Sequence, residues 1–252
     1  MEKLPSLDQV DAAGHPGSED KEAARQALVK HREQLAELHD LLYANRRHAL
    51  LIILQGMDTS GKDGTIRHVL SGLNPVGTQV LSFKAPNDLE RAHDYLWRIH
   101  RHVPPHGTIG VFNRSHYEDV VTAFVHGTID EAVRRRRFDE INAFEQYLHH
   151  NGIILLKFFL HISPEEQAER LAARIRDPAK MWKLSASDLS ERPHWNEYQA
   201  AYNTALQATH TAWAPWTIVP ADHKWYRNLL VARTVVAALE ALKLGWPTGP
   251  VS

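Results

Sequence analysis

Five short apolar runs with amphipathic stretches between them constrain this chain more than any other feature. They are ALLIIL (49–54), TQVLSF (78–83), TIGVFN (108–113), IILLKFFLHI (153–162) and WTIVP (216–220). Helical patterns fill 63–71, 88–102, 131–150 and 164–176 between them. Runs so continuous in apolar residues suit strands covered on both faces, as in a parallel sheet. Parallel neighbours need right-handed crossovers. The alternation therefore predicts an α/β fold, a doubly wound five-stranded sheet sandwiched by helices, with its ligand crevice at the carboxyl ends of the strands.

Local signals support the helices. Leu28, Leu35, Leu38 and Leu42 predict a long amphipathic helix over about 20–45, and Leu229, Val236 and Leu239 a last one over about 224–243. Phe138, Ile141, Phe144 and Leu148 form one stripe that reads as core. Ser163-Pro164-Glu165-Glu166 reads as a capping box with proline at the first helical position. Residues 1–19 hold turn formers without periodicity and are expected to form a flexible leader. A single domain is expected over 20–246, with a lid at about 174–194 and a tail at 247–252.

Composition narrows the function by exclusion. With a net charge of −1, no overall field favours nucleic acid or a membrane surface, so any attraction for anions is local. The absence of cysteine excludes disulfides, thiolate zinc sites and cysteine nucleophiles, and suits a reducing cytoplasm. The longest apolar run, GIILLKFFLHI, is interrupted by Lys157 and falls short of the ~18 residues that span a bilayer. A soluble, cytoplasmic protein is expected.

Between the first strand and the next helix stands GMDTSGKDG, residues 56–64. Its spacing is that of a phosphate loop, in the strand–loop–helix setting which that mechanism demands. Gly56 and Gly61 let the backbone curl so that N–H groups face inward, and Gly64 keeps the helix start uncrowded. Gly56, Met57, Thr59, Ser60, Gly61, Lys62, Asp63 and Gly64 are candidate phosphate binders, with the helix dipole and the Lys62 charge aimed at the same point. Asp63 occupies the position where such a loop normally has a magnesium-binding hydroxyl. Asp58 and Asp63 would repel phosphate unless a divalent cation lay between them, so both are candidate metal ligands. Asp63 reads equally well as an acid favouring the first helical turn.

The third strand ends in VFNRSHYEDV, with Asn113 at its tip, then Arg114, Glu118 and Asp119. Arg114 is suited to meet a phosphate bidentately from the crevice. Farther on, Arg174, Arg176, Lys180 and Lys183 form a basic cluster positioned to close over that crevice and exclude water. The Arg134–Arg137 run could track a polyanion, but consecutive helical residues point all round, so a solvated, ion-paired surface is preferred. The SFKAPN (82–87) and DYLWRIH (94–100) segments could hold an acceptor's base and phosphate, with Trp97 read as core.

Four blocks in order, GMDTSGKDGTI, FNRSHYEDV, RIRDPAKMWKLS and APWTIVPADHKWYRN, closely resemble the polyphosphate kinase 2 family over about 25–245. The resemblance implies a phosphate-loop kinase fold and phosphoryl transfer between inorganic polyphosphate and nucleotides, with Mg²⁺ or Mn²⁺ as cofactor. It places Asp58, Lys62 and Asp63 in the metal and phosphate loop. Asn113, Arg114 and Glu118 fall in a second motif, Glu118 as a further metal carboxylate. Arg174, Lys180 and Lys183 fall in the lid. Asp58, Lys62, Arg114 and Arg174 are the candidate catalytic residues. Asn113, where diphosphate-specific members tend to have Asp, points to a subgroup accepting both nucleoside mono- and diphosphates. The alternatives are a kinase restricted to ADP and GDP, or to AMP, and an ATP-dependent nucleotide kinase. A homo-oligomer formed through the leucine stripe of the first helix is expected.

Overall fold

The computed structural model describes residues 3–18, 20–179, 181–183 and 190–249. Its centre is a five-stranded, all-parallel sheet made of β1 (Ala49–Gln55), β2 (Thr78–Ser82), β3 (Ile109–Asn113), β4 (Ile153–His161) and β5 (Trp216–Pro220). The strand order is β2-β3-β1-β4-β5. Chain progression thus runs from β1 outward to β2, back to β3, and then across β1 to β4. That reversal opens a crevice beyond the carboxyl ends of β1 and β3, where Leu54 is in register with Asn113.

Helices cover both faces. On one, α1 (Lys21–Asn45) packs with α9 (Lys224–Glu240) over Leu50, Ile52, Leu54, Val111 and Phe158. On the other, α6 (Glu131–His150) and α8 (Trp195–Thr209) cover Leu51, Ile53, Phe112 and Phe159. β1 is buried at every residue, as expected for a central parallel strand. α2 (Lys62–Val69) leaves the loop after β1, and α7 (Pro164–Arg176) follows β4. The Ser163 hydroxyl accepts from the Glu166 N–H as expected. The Glu166 side chain, however, pairs with Arg170 rather than completing the box.

Three expectations are corrected. The single helix over 88–102 is two short ones, α3 (Asp88–Arg91) and α4 (Trp97–His100). Asp94 Oδ1 accepts from the Leu96 and Trp97 N–H groups, which starts a new helix and interrupts the first. Trp97 is half-buried, stacked between the His93 ring at 4.0 Å and the Arg101 guanidinium at 4.5 Å, and Ile99 fills the core position instead. Residues 3–18 do not behave as a free leader. Leu4, Leu7 and Ala12 are buried, Asn203 Oδ1 accepts from the Leu7 N–H, and Tyr226 donates to the Pro16 carbonyl. Three scattered apolar residues, too few to show periodicity, are enough to dock it.

The leucine stripe of α1 is also spent inside the molecule. Leu35 and Leu42 are fully buried, and the half-buried Leu28 and Leu38 pack against the same core. The Phe138–Leu148 stripe does face the core.

Candidate active site

Residues 56–61 turn sharply between β1 and α2. Gly56 (φ 144°) and Gly61 (φ 104°) take backbone conformations that side chains rarely adopt. A Cβ on Gly56 would lie 2.6 Å from the Leu160 carbonyl, and one on Gly61 would lie 1.8 Å from Arg227 Nη1. Thr59, at φ 65°, is held in the left-handed region without glycine's freedom. Lys62 opens α2 and is buried, its Nζ donating to the Gly56 carbonyl at 2.7 Å and the Met57 carbonyl at 3.2 Å. Burial, reinforced by the neighbouring Arg114 charge and opposed by Asp58, Glu118 and Asp63, lowers its pKa to about 8.

Arg114 stands immediately past β3, also in the left-handed region at φ 63°, with its N–H bonded to the Leu54 carbonyl at 3.0 Å. This backbone turn sends the guanidinium back across the crevice. There it bonds Asp58 Oδ1 at 2.5 Å and Glu118 Oε2 at 3.4 Å. Glu118 first, then Asp58, hold the guanidinium protonated more firmly than usual, against the effect of burial. Asn113 Nδ2 donates to Asp63 Oδ1 at 2.6 Å. Two polar links, 58–114 and 63–113, thus join the phosphate loop to the end of β3. Beside the first of these opens a cavity of about 160 Å³ whose wall includes Gly56, Asp58, Arg114, Glu118, Gln167 and Tyr202.

Buried bonds fix the second motif from beneath. Lys157 on β4 and Glu145 on α6 are both fully buried and 2.6 Å apart. Lys157 Nζ also donates to Tyr117 Oη at 2.9 Å and the Thr209 carbonyl at 2.8 Å, which places all three ammonium protons. Tyr117 donates in turn to Glu145 Oε1 at 2.8 Å. Burial works to raise the Glu145 pKa, but the Lys157 charge and the His116 hydrogen bond outweigh it, and the carboxyl stays below its usual range.

The arginine run divides. Arg135 and Arg136 are exposed and pair with Glu131 and Glu140, as the surface reading expects. Arg134 and Arg137 depart from it. Arg134 is buried over the Phe124 ring and donates to the Val120 and Ala201 carbonyls, and Arg137 donates to the Asp119 carbonyl. Both act as struts behind the second motif. Arg98 Nη1 donates to the Lys84 carbonyl at 2.8 Å, which joins the SFKAPN and DYLWRIH segments.

Arg174 lies half-buried in the last turn of α7, with Arg176 closing the helix. Lys180 and the Lys183 side chain lie outside the described residues. Three residues without a predicted role stand against the phosphate loop: Gln167, Arg170 and Arg227. Arg227 lay within the quoted WYRN block. The sole signal for Arg170 was its place one helical turn after Glu166.

A parallel sheet of this order, with a lysine-bearing anion loop at its carboxyl edge, defines a phosphate-loop kinase architecture. Within that class the chain belongs to the polyphosphate kinase 2 family, whose sequence pattern matches residues 18–245. It is 44% identical over 245 residues to the AMP/ADP-polyphosphate phosphotransferase of Meiothermus ruber, covering 97% of this chain and 91% of that protein. It is 47% identical over 244 residues to the ADP-polyphosphate phosphotransferase of Rhodopseudomonas palustris, covering 92% and 84%. The crystal structure of polyphosphate kinase 2 from Arthrobacter aurescens superimposes with a TM-score of 0.96 at 43% identity, over 100% of this chain and 91% of that one. No helix among the described residues is long and apolar enough to cross a membrane.

Proposed function

We propose that this protein transfers phosphoryl groups between inorganic polyphosphate and nucleotides, taking both AMP and ADP as acceptors. The observation that carries the reading is a small cavity walled by Gly56, Met57, Asp58, Arg114 and Glu118, with Lys62 buried behind the same loop on the Gly56 and Met57 carbonyls, in a chain of this family. A polyphosphate end is a dense run of negative charge without a base to grip. Lys62 and Arg114 supply the opposing charge, and the loop amides orient the anhydride. A terminal phosphate oxygen of the nucleotide attacks the terminal phosphorus of the chain. The new P–O bond forms as the bridging P–O bond breaks, and the shortened polyphosphate leaves with the electron pair. Such a transfer has little covalent chemistry for protein groups to assist, so positioning and charge neutralisation carry the rate.

The carboxylates fit a divalent cation. Asp58 and Glu118 converge on a single guanidinium, and Asp63 lies in the adjoining helical turn. Among the described residues no group of three or more acidic or histidine side chains could hold a metal unaided. A cation held there would draw the rest of its shell from phosphates and water, as Mg²⁺ does. Asp58 and Glu118 are the pair that would hold Mg²⁺ or Mn²⁺, with Asp63, bonded to Asn113, the third candidate in the adjoining turn, and the bound ion would neutralise charge on the phosphoryl oxygens.

The deciding experiment offers the purified protein Mg²⁺ and polyphosphate with AMP, ADP, GMP or GDP, and ATP as donor in a control. Formation of ADP from AMP and of ATP from ADP is expected. Turnover with ATP but none with polyphosphate would overturn the proposal. The same assay reads Lys62. Its ammonium is charged below pH 8 and loses its proton above it, so kcat/KM for polyphosphate should fall as pH rises through about 8. The decline should approach about tenfold per pH unit, and a flat profile to pH 10 would remove the assigned charge. A homo-oligomer completes the proposal. A monomer mass in light scattering would refute that part alone.

A further inference from the structure

The outer side of the phosphate loop is gripped carbonyl by carbonyl. Gln167 Nε2 donates to the Asp58 carbonyl at 3.3 Å, Arg170 Nη1 to those of Thr59 and Ser60 at 3.0 and 3.1 Å, and Arg227 Nη1 to that of Ser60 at 3.2 Å. In a trans peptide the N–H of the next residue points opposite to the carbonyl. Holding these three carbonyls outward therefore turns the following amides of Thr59, Ser60 and Gly61 to the other side. Ser60 N–H is used in the turn to Met57, and the same peptide geometry directs those of Thr59 and Gly61 away from the residues that hold the carbonyls.

Arg170 is itself anchored. It pairs with Glu166 at 2.7 Å, and its Nη2 donates to the Ala221 and Asp222 carbonyls just past β5. Arg227 is different. Its side chain is 2% exposed, and among the described residues its hydrogen-bond partners are the Ser60 carbonyl and Asn228 Oδ1, neither of them charged. It presses on Gly61 and Gly64, so a Cβ at the first would overlap it and one at the second would come within 3.3 Å. Burial first, then the neighbouring Arg170 charge, bring its pKa down to about 9, which leaves it charged at neutral pH. A buried, charged group without a counterion is costly in isolation. Beneath a loop that receives a polyanion, the ligand supplies the missing negative charge.

We propose that Arg227, buttressed by Arg170, is a positioning residue for polyphosphate: its uncompensated guanidinium fixes the Ser60–Gly61 peptide and adds a permanent positive charge behind the bound phosphates. The inference rests on the proposed function for its ligand but acts at a separate group. Arg227→Gln keeps a donor for the Ser60 carbonyl and removes the charge. It should raise KM for polyphosphate about tenfold, with KM for ADP changed less than about twofold, and flatten the salt dependence of polyphosphate binding. Arg227→Lys restores the charge without the planar fork and should recover part of that loss.

A purely structural role would instead lower the melting temperature and shift both KM values together. A second measurement covers a variant too unstable to assay. Tripolyphosphate should raise the melting temperature of the wild type more than that of Arg227→Gln. Asn228→Ala, which frees the guanidinium while keeping it, should give an intermediate effect. Equal melting shifts in wild type and Arg227→Gln, or an unchanged polyphosphate KM, would overturn the proposal. Loss of polyphosphate turnover in the wild type would sink the functional reading instead, and the tripolyphosphate shifts would still judge Arg227.

Discussion

Replacing Asp58 by Asn should lower kcat by two to three orders of magnitude, on the order of 3–4 kcal/mol of barrier. The side chain keeps its size and half of its hydrogen-bonding capacity, so the loop retains its fold. What disappears is a negative charge that serves two purposes. It draws Arg114 across the crevice, and with Glu118 it forms the carboxylate pair suited to Mg²⁺. Without it the guanidinium keeps only Glu118 as a charged partner, and any cation loses one of its few anionic protein ligands. Binding should move the other way. Removing an acid beside a polyanion lessens repulsion, so metal-free polyphosphate should bind no more weakly to Asp58→Asn than to wild type. The two predictions together separate a metal role from a general loss of affinity. Near-normal turnover, or a metal requirement unchanged on Mg²⁺ titration, would refute the assignment.

The largest effect on stability should come from a residue far from the chemistry. Lys157→Met leaves Glu145 fully buried with its charge uncompensated and should cost about 3–5 kcal/mol in denaturant unfolding. The double variant Glu145→Leu with Lys157→Met removes both charges from an apolar setting and should regain most of that loss. The pair is thus worth less as an attraction than as a mutual obligation. Because Tyr117 depends on both partners, the single variant should also loosen the segment carrying Arg114 and Glu118. A cost below 1 kcal/mol for Lys157→Met would show that water or a local rearrangement rescues Glu145.

Much of this arrangement could be read from the chain. The sheet was legible because parallel strands buried on both faces leave continuous apolar runs, and the runs marked β1 to β5 within a residue or two. The loop was legible because its glycines and lysine are tied by backbone geometry to fixed spacings. Long-range polar contacts left no such mark. Lys157 looked like a mere interruption of an apolar run, yet it anchors a network with Glu145 from a different element. Arg134 looked solvated because the sequence does not reveal that Phe124 and the Val120 carbonyl will lie against it. Gln167, Arg170 and Arg227 reach the loop from elements more than a hundred residues away in sequence, and periodicity carries no information at that distance. Residues 3–18 escaped notice for a related reason, since docking by three apolar contacts needs no repeat.

Thr59 and Arg114 share one peculiarity, a left-handed backbone without glycine to ease it. Each conformation is disfavoured by on the order of 1 kcal/mol or more and persists only while the surroundings enforce it. The crevice is therefore like a sprung clasp, already cocked before anything enters. Selection for a hardier fold would relax these two residues first, and the enzyme that resulted would outlast its ancestor while holding its substrate less well.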